Sequence, residues 1–225
     1  MVERIVTGEV YHTYTRSIAE FVIFNNQAEY ARMISAMRHF QWDARPLSFS
    51  RLYRKHPAHT KKEYVPKAPQ KRVQIIAYCI MPTHIHLVLK QKQDNGISAF
   101  LNDLLNSYTR YFNTKRSRKG PLWEGRFKKV YVQKDEQLLH LTRYIHLNPV
   151  TAGLVKKPEQ WKASSYREFI GINDDTAFCE YDELLEIVPA KYAKSVMERR
   201  AYQRELAKIK HFLRDSASDL TGSTA

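Results

Sequence analysis

The spacing of apolar residues changes several times along the chain, and each change marks an element. Val10 to Thr15 is aromatic and β-branched, as strands prefer, and Phe21 to Phe24 is a second short run of that kind. Asn25 or Asn26 is positioned to cap a helix running to about His39, with Tyr30, Met33, Ile34 and Met37 at helical spacing as its core stripe. Val73 to Ile80 is an apolar strand broken only by Gln74, Met81-Pro82-Thr83 is a turn signal, and His84 to Lys90 completes a hairpin. Gly96 leads into the clearest helical period of the chain, from Ile97 to about Asn113. Its apolar positions are Ile97, Phe100, Leu101, Leu104, Leu105, Tyr108, Tyr111 and Phe112. Arg126 to Gln133 alternates as a strand. Asp135 is the expected cap of a helix from Glu136 to about Asn148, with Leu138, Leu141 and Ile145 inward, and Pro149 marks its boundary. The order β(β)–α–β–β–α–β–α predicts an α+β fold, a ferredoxin-like (β-α-β-β-α-β) antiparallel sheet with helices on one face. Beyond it, Trp161, Tyr166 and Phe169 are expected to pack back on the domain. Tyr181 to Ile187 reads as a short helix, Lys191 to Leu213 as a longer basic one, and Asp215 to Ala225 as a disordered tail.

Two stretches break the pattern with charge. Residues 41 to 70 read as an inserted basic loop or arm. Arg51 to Arg72 holds eight Lys/Arg against the single acid Glu63, with three prolines and with Tyr53 and Tyr64 interleaved. Such a segment either tracks a nucleic-acid backbone with tyrosines stacked on bases, or is a solvated excursion. Lys115 to Lys129, KRSRKGPLWEGRFKK, carries seven basic residues and one acid. Lys115, Arg116, Arg118, Lys119, Arg126, Lys128 and Lys129 are its candidate DNA contacts. Trp123 among them is either a base contact or a core anchor.

These stretches fit the whole composition. Lys plus Arg outnumber Asp plus Glu by 37 to 23 across 225 residues, a net charge of +14 that favours a polyanionic partner. The 43% apolar fraction supports a real core and argues against a disordered chain. The two cysteines, Cys79 and Cys179, form no C-x-x-C pair, so a disulfide framework is not expected. Without a signal-peptide pattern or a membrane-length apolar run, the expected location is cytoplasmic and DNA-associated, with no membrane contact.

The candidate chemistry sits on the hairpin and on the helix about sixty residues later. Alternate residues on a strand share a face, so His84 and His86 project together while Ile85 and Leu87 point the other way. Alone, the pair reads equally well as two satisfied histidines on a half-buried sheet. Tyr144 and Asn148 are four apart and share a helix face. Two neutral imidazoles and a side-chain amide oxygen form a small, open set for Mg²⁺ or Mn²⁺, unlike a closed four-ligand zinc site. A tyrosine one turn from such a ligand is placed to attack a phosphate and form a phosphotyrosine ester. Its ordinary pKa of about 10 means that the attacking oxygen needs help in losing its proton.

The segment MPTHIHLVL resembles an HUH motif. RYIHLNPVTAGLV, preceded by a basic loop and LWEGRFK, is similar to the hallmark of REP-associated tyrosine transposases, a group of single-tyrosine HUH transposases. The resemblance runs from about Val10 to Phe169 with the motifs in matching order. It implies a catalytic domain over 1–170; the inserted arm at 41–70 and the basic helical extension with a disordered tail over 171–225 are read from composition. It implies that Tyr144 is the nucleophile and that His84, His86 and Asn148 hold the metal. The implied reaction cleaves and rejoins single-stranded DNA at hairpin or palindromic ends, leaving a 5′-phosphotyrosine and a free 3′-OH. Assembly as a monomer or a homodimer stays open. The 41–70 insertion and the extension after about 170 depart from the minimal core.

Two other readings compete. A replication-initiator-like nicking enzyme shares the His pair and the tyrosine but acts at an origin. A catalytically silent ferredoxin-like nucleic-acid-binding module leaves the clustering of His84, His86, Tyr144 and Asn148 unexplained. A two-histidine phosphoesterase would need two His-x-Thr/Ser motifs, and this chain does not offer the pair.

Overall fold

The computed structural model describes residues 4–43, 49–55, 70–172 and 177–198. Its centre is a four-stranded sheet of β1 (Val10–Arg16), β2 (Val73–Ile80), β3 (His84–Gln91) and β4 (Lys128–Val132), in the order β2-β3-β1-β4. All three neighbouring pairs are antiparallel. Strand alternation sorts the side chains into two layers. Tyr11, Ile85, Leu87 and Leu89 face α1 (Gln27–Phe40) and α3 (Gly96–Lys115) and join Phe100, Leu104 and Tyr108 in one core. Val10, Val88 and Val132 face α4 (Asp135–Thr151) and join Leu138 and Ile145 in a second. α1 and α3 thus lie on one face of the sheet, and α4 lies on the other. β2 is buried throughout, apolar from Ile75 to Ile80, with Gln74 Nε2 donating to Glu180 O at 2.9 Å. A register shift between Ile75 and Ala77 puts Ile76 and Ala77 both in the second core.

Several expectations need correction. Phe21–Phe24 is not a strand. Ile23 and Phe24 are buried, but their N–H groups both donate to Pro82 O, at 2.9 and 3.2 Å, and no strand runs alongside. Asn26 is the cap of α1, its Oδ1 accepting from Glu29 N at 3.1 Å. Part of the 41–70 segment is helical: α2 (Phe49–Lys55) buries Phe49 against Phe40 and His39. Tyr64 and the rest of that arm's proline-rich stretch lie outside the described residues. Lys134, not Asp135, is the N-cap of α4, and the helix runs through Pro149 to Thr151. A proline that late removes only the bond to the Ile145 carbonyl, and Ala152 N still donates to Asn148 O at 2.9 Å.

Residues 181–187 form a turn and an irregular stretch rather than a helix, and the next helix spans 189–198. The remainder of the expected long basic helix, and the tail, lie outside the described residues. Tyr192 and Val196 of the 189–198 helix belong to the second core. His146 of α4 is buried between Tyr192 Oη (2.7 Å from Nδ1) and Ser165 Oγ (2.8 Å from Nε2), which ties α4 to both. The outer edge of β2 is covered as well: Ser165 N donates to Tyr78 O and Glu180 N to Ile75 O. Among the described residues, no helix is long and apolar enough to cross a membrane.

At the α3 entry, Asn95 holds φ +62° and Gly96 follows. A Cβ on Gly96 would stand 2.2 Å from Arg72 O, so only glycine lets the helix start against that backbone.

Candidate active site

The cleft on the α4 side is built by strand register. In antiparallel pairing, residues directly opposite share a face. Tyr14 lies opposite His86 on β3 and Lys128 on β4, so His86, Tyr14 and Lys128 form one row across the sheet. Arg16 opposite His84 starts the next row. α4 packs Leu138 and Ile145 on the sheet and turns Tyr144 and Asn148 toward this polar end. Together these residues line an open cleft of about 1030 Å³ that also includes His12, Glu124, Gly125, Arg126 and Val130.

Distances within the cleft are short. The His84 and His86 rings stand 5.1 Å apart, nearly perpendicular at 88°. The Tyr144 ring is edge-on to His86 at 6.1 Å and 85°. Tyr144 is 44% exposed, and its hydroxyl has no hydrogen-bond partner among the described residues. Burial, then the neighbouring Tyr14, raises its pKa, so the phenol stays protonated at neutral pH without outside help.

Burial pulls the His84 pKa down to about 4, helped by Arg16 and opposed by Glu20. His86 is also held well below the ordinary imidazole value, by burial first and then by His84, His12 and Arg16. Both rings are therefore neutral at pH 7, the form that ligates metals. His84 Nδ1 lies 2.9 Å from Thr83 Oγ1, and His86 Nδ1 lies 3.0 Å from His12 Nε2. Neither Nε2 has a partner among the described residues. Asn148 Nδ2 is buried with none either. The carboxamide is nearly symmetric in shape, so a half-turn brings its oxygen to that position. No group of three or more His, Cys, Asp or Glu among the described residues is disposed around a metal position. Because His12 is turned onto His86, the cleft offers two imidazoles and an amide. That three-donor set suits a divalent cation that accepts imidazole nitrogen and keeps open positions, and it lacks the fourth ligand of a closed zinc site.

The structure divides the predicted DNA contacts. Arg126 and Lys128 are exposed and line the cleft. Lys119 is exposed on the preceding loop. Lys115 and Arg116 reach the buried Glu29 carboxylate at 2.8 and 3.5 Å. Arg118 braces its own loop, donating to Asn113 Oδ1 at 3.0 Å and to Pro121 O at 2.7 Å. Lys129 stands over the Tyr11 ring, across the sheet from the cleft. Trp123 is buried, and its Nε1 donates to Leu105 O at 3.3 Å and to Thr109 Oγ1 at 3.1 Å, so it anchors the core.

Sequence reading missed His12, Tyr14 and Arg16, the β1 side of the cleft. The signal was present, because VYHTYTR alternates and places all three with Val10 on one face. What was lacking was the pairing that brings that face beside His84 and His86.

Residues 49–148 match the family model described as "Transposase IS200 like". Two bacterial proteins bearing the name REP-associated tyrosine transposase align with the chain. The Haemophilus influenzae protein is 28% identical over 103 residues, covering 41% of this chain and 58% of its own length. The Escherichia coli K12 protein is 24% identical over 94 residues, covering 41% and 54%. The chain thus spans little more than half the length of these relatives. A solved structure of a REP-associated tyrosine transposase bound to a REP hairpin superposes with a TM-score of 0.50. It is 16% identical and covers 84% of this chain and 99% of that one, a likeness of fold. Over residues 49–148, which hold the histidine pair, Tyr144 and Asn148, the chain is matched to the IS200-like transposases, and the resemblance read from its motifs stands.

Proposed function

We propose that this cleft cleaves and rejoins single-stranded DNA through Tyr144. One observation carries the reading: a half-exposed, unpartnered phenol stands edge-on to His86, one helical turn before Asn148, in a cleft lined by Arg126 and Lys128. The β-α-β-β-α-β succession with strand order β2-β3-β1-β4 supports a ferredoxin-like fold with His84-Ile85-His86 as its HUH motif.

A DNA backbone along the cleft would have its charge met by Arg126, Lys128 and Arg16. Tyr144 Oη attacks the phosphorus, the Oη–P bond forms and the P–O3′ bond breaks. The phenolic proton is lost and the departing O3′ gains one. The products are a 5′-phosphotyrosine ester and a free 3′-OH, and attack by another strand's 3′-OH reverses the step. One ester replaces another, so no nucleoside triphosphate is consumed. His84 and His86 through Nε2, and Asn148 through its amide oxygen, would hold Mg²⁺ or Mn²⁺. Such an ion, when bound, supplies Lewis-acid polarisation of the scissile phosphate. The hairpin held by the structural neighbour supports a hairpin-forming or palindromic strand as the substrate here.

The test is covalent trapping. Protein is mixed with labelled single-stranded hairpins from DNA flanking its gene, with Mn²⁺, and denatured in SDS. A slower protein–DNA band that needs the metal and disappears in Tyr144→Phe is expected. Tight binding with no band for any flanking hairpin would favour a silent binding module.

A further inference from the structure

We propose that His12 is a positioning residue that keeps His86 protonated at Nδ1, so that its Nε2 presents a bare lone pair to the cleft. The use of that lone pair for a metal rests on the function proposed above. The proton arrangement can be measured without the metal. His12 lies opposite Val88 on β3, which makes His86 its diagonal neighbour across the pair. The His12 Nε2 to His86 Nδ1 distance is 3.0 Å, and the ring planes differ by 19°. Tyr14 stacks on His12 at 5.3 Å and 30°, which restricts the ring's rotation.

A single proton sits between the two nitrogens, and it allows two arrangements. If His86 Nδ1–H donates to His12 Nε2, then His86 Nε2 is unprotonated. If His12 Nε2–H donates to His86 Nδ1, neutral His86 must carry its proton at Nε2 and cannot ligate there. The hydrogen bond at one ring nitrogen sets the state of the other. His84 shows the same division of labour on a smaller scale, with Thr83 Oγ1 beside Nδ1 and no partner at Nε2. Both histidines therefore have a hydrogen-bond partner at Nδ1 and an open Nε2. His12 differs from the other imidazoles in the cleft because its Nε2 is spent on a neighbour.

The test compares the full chain with His12→Leu, which removes the acceptor, and His12→Gln, whose amide oxygen can replace it. Imidazole ¹⁵N shifts of the metal-free proteins report which His86 nitrogen carries the proton. The expected result is Nδ1–H in the wild type and in His12→Gln, with a shift toward Nε2–H in His12→Leu. Mn²⁺ titration followed by electron paramagnetic resonance should show affinity roughly tenfold weaker in His12→Leu and largely restored in His12→Gln. An unchanged His86 tautomer in His12→Leu overturns the proposal, as does equal loss in His12→Gln and His12→Leu. If the wild type takes up no Mn²⁺, the metal reading fails, while the ¹⁵N comparison still decides the role of His12.

Discussion

The two faces of the sheet are made from the same strands and serve opposite ends. Toward α1 and α3, β1 and β3 present Tyr11, Ile85, Leu87 and Leu89, all buried, and the helices fill the layer with Phe100, Leu104 and Tyr108. Toward α4 the same strands present Val10 and Val88 at one end but His12, Tyr14, His86 and Arg16 at the other. α4, with the 189–198 helix packed behind it, covers the apolar end of that face, and the polar end stays open. Closed packing on the first face holds the register that aligns His84, His86, Tyr14 and Lys128 on the second. The closed face is all packing, whereas the other divides between a packed end and a polar end that holds the proposed chemistry.

The largest separation is expected from Tyr144→Phe. It should reduce adduct formation by more than about a thousandfold, roughly 4 kcal/mol of transition-state free energy. Removing a half-exposed, unpartnered hydroxyl should shift unfolding free energy by less than about 0.5 kcal/mol in a denaturant titration. A large loss of stability would break the division between faces.

Phe100→Ala is the converse test. Phe100 is fully buried under the sheet, and its truncation should cost about 3–5 kcal/mol of stability. The fraction that remains folded should still form adduct. Loss of chemistry per folded molecule would show that the first face does more than support.

His146 tests the anchoring of α4. Burial holds its pKa near about 3, so it stays neutral in the folded chain. The unfolded chain takes up the proton first as pH falls through about 6.5 toward 3, so stability declines over that window. His146→Gln should flatten the dependence of unfolding free energy on pH by up to about 1.4 kcal/mol per pH unit. An unchanged slope would remove His146 from the account of how α4 is held.

The smallest effect sharpens the basic rim. Neutralising Arg126 and Lys128 together should weaken binding of single-stranded DNA and lower its log-log salt slope by about 1.4, at roughly 0.7 per phosphate contact. The same change at Lys115 and Arg116, already bound to Glu29, should alter the slope less.

Periodicity made much of this fold legible. α3 and β2 could be read because their apolar positions recur over whole elements, broken in β2 only by Gln74. Phe21–Phe24 misled because an apolar run reports burial, not pairing, and Ile23 and Phe24 reach the core from an irregular chain. α2 was hidden among prolines and charges in a segment whose composition argued for a loop. Pro149 signals a stop in the sequence, but in a final helical turn it removes only one bond. The His84–His86 pair with Tyr144 and Asn148 could be found because each pair is local to one element. His12 could not, since its role depends on which strand lies beside β1. Trp123, with either reading open in the sequence, proved to be a core anchor because its indole N–H finds Leu105 and Thr109 across α3.

The most direct test of the central claim is to locate the bond. The trapped adduct should be digested with nuclease and protease, and the nucleotide-bearing peptide sequenced by mass spectrometry. A nucleotide joined through a 5′-phosphate ester to Tyr144 alone, among the fourteen tyrosines, is expected. Attachment to Tyr14, whose ring lies 6.0 Å from His86 in the same cleft, would contradict it and move the nucleophile from α4 to β1.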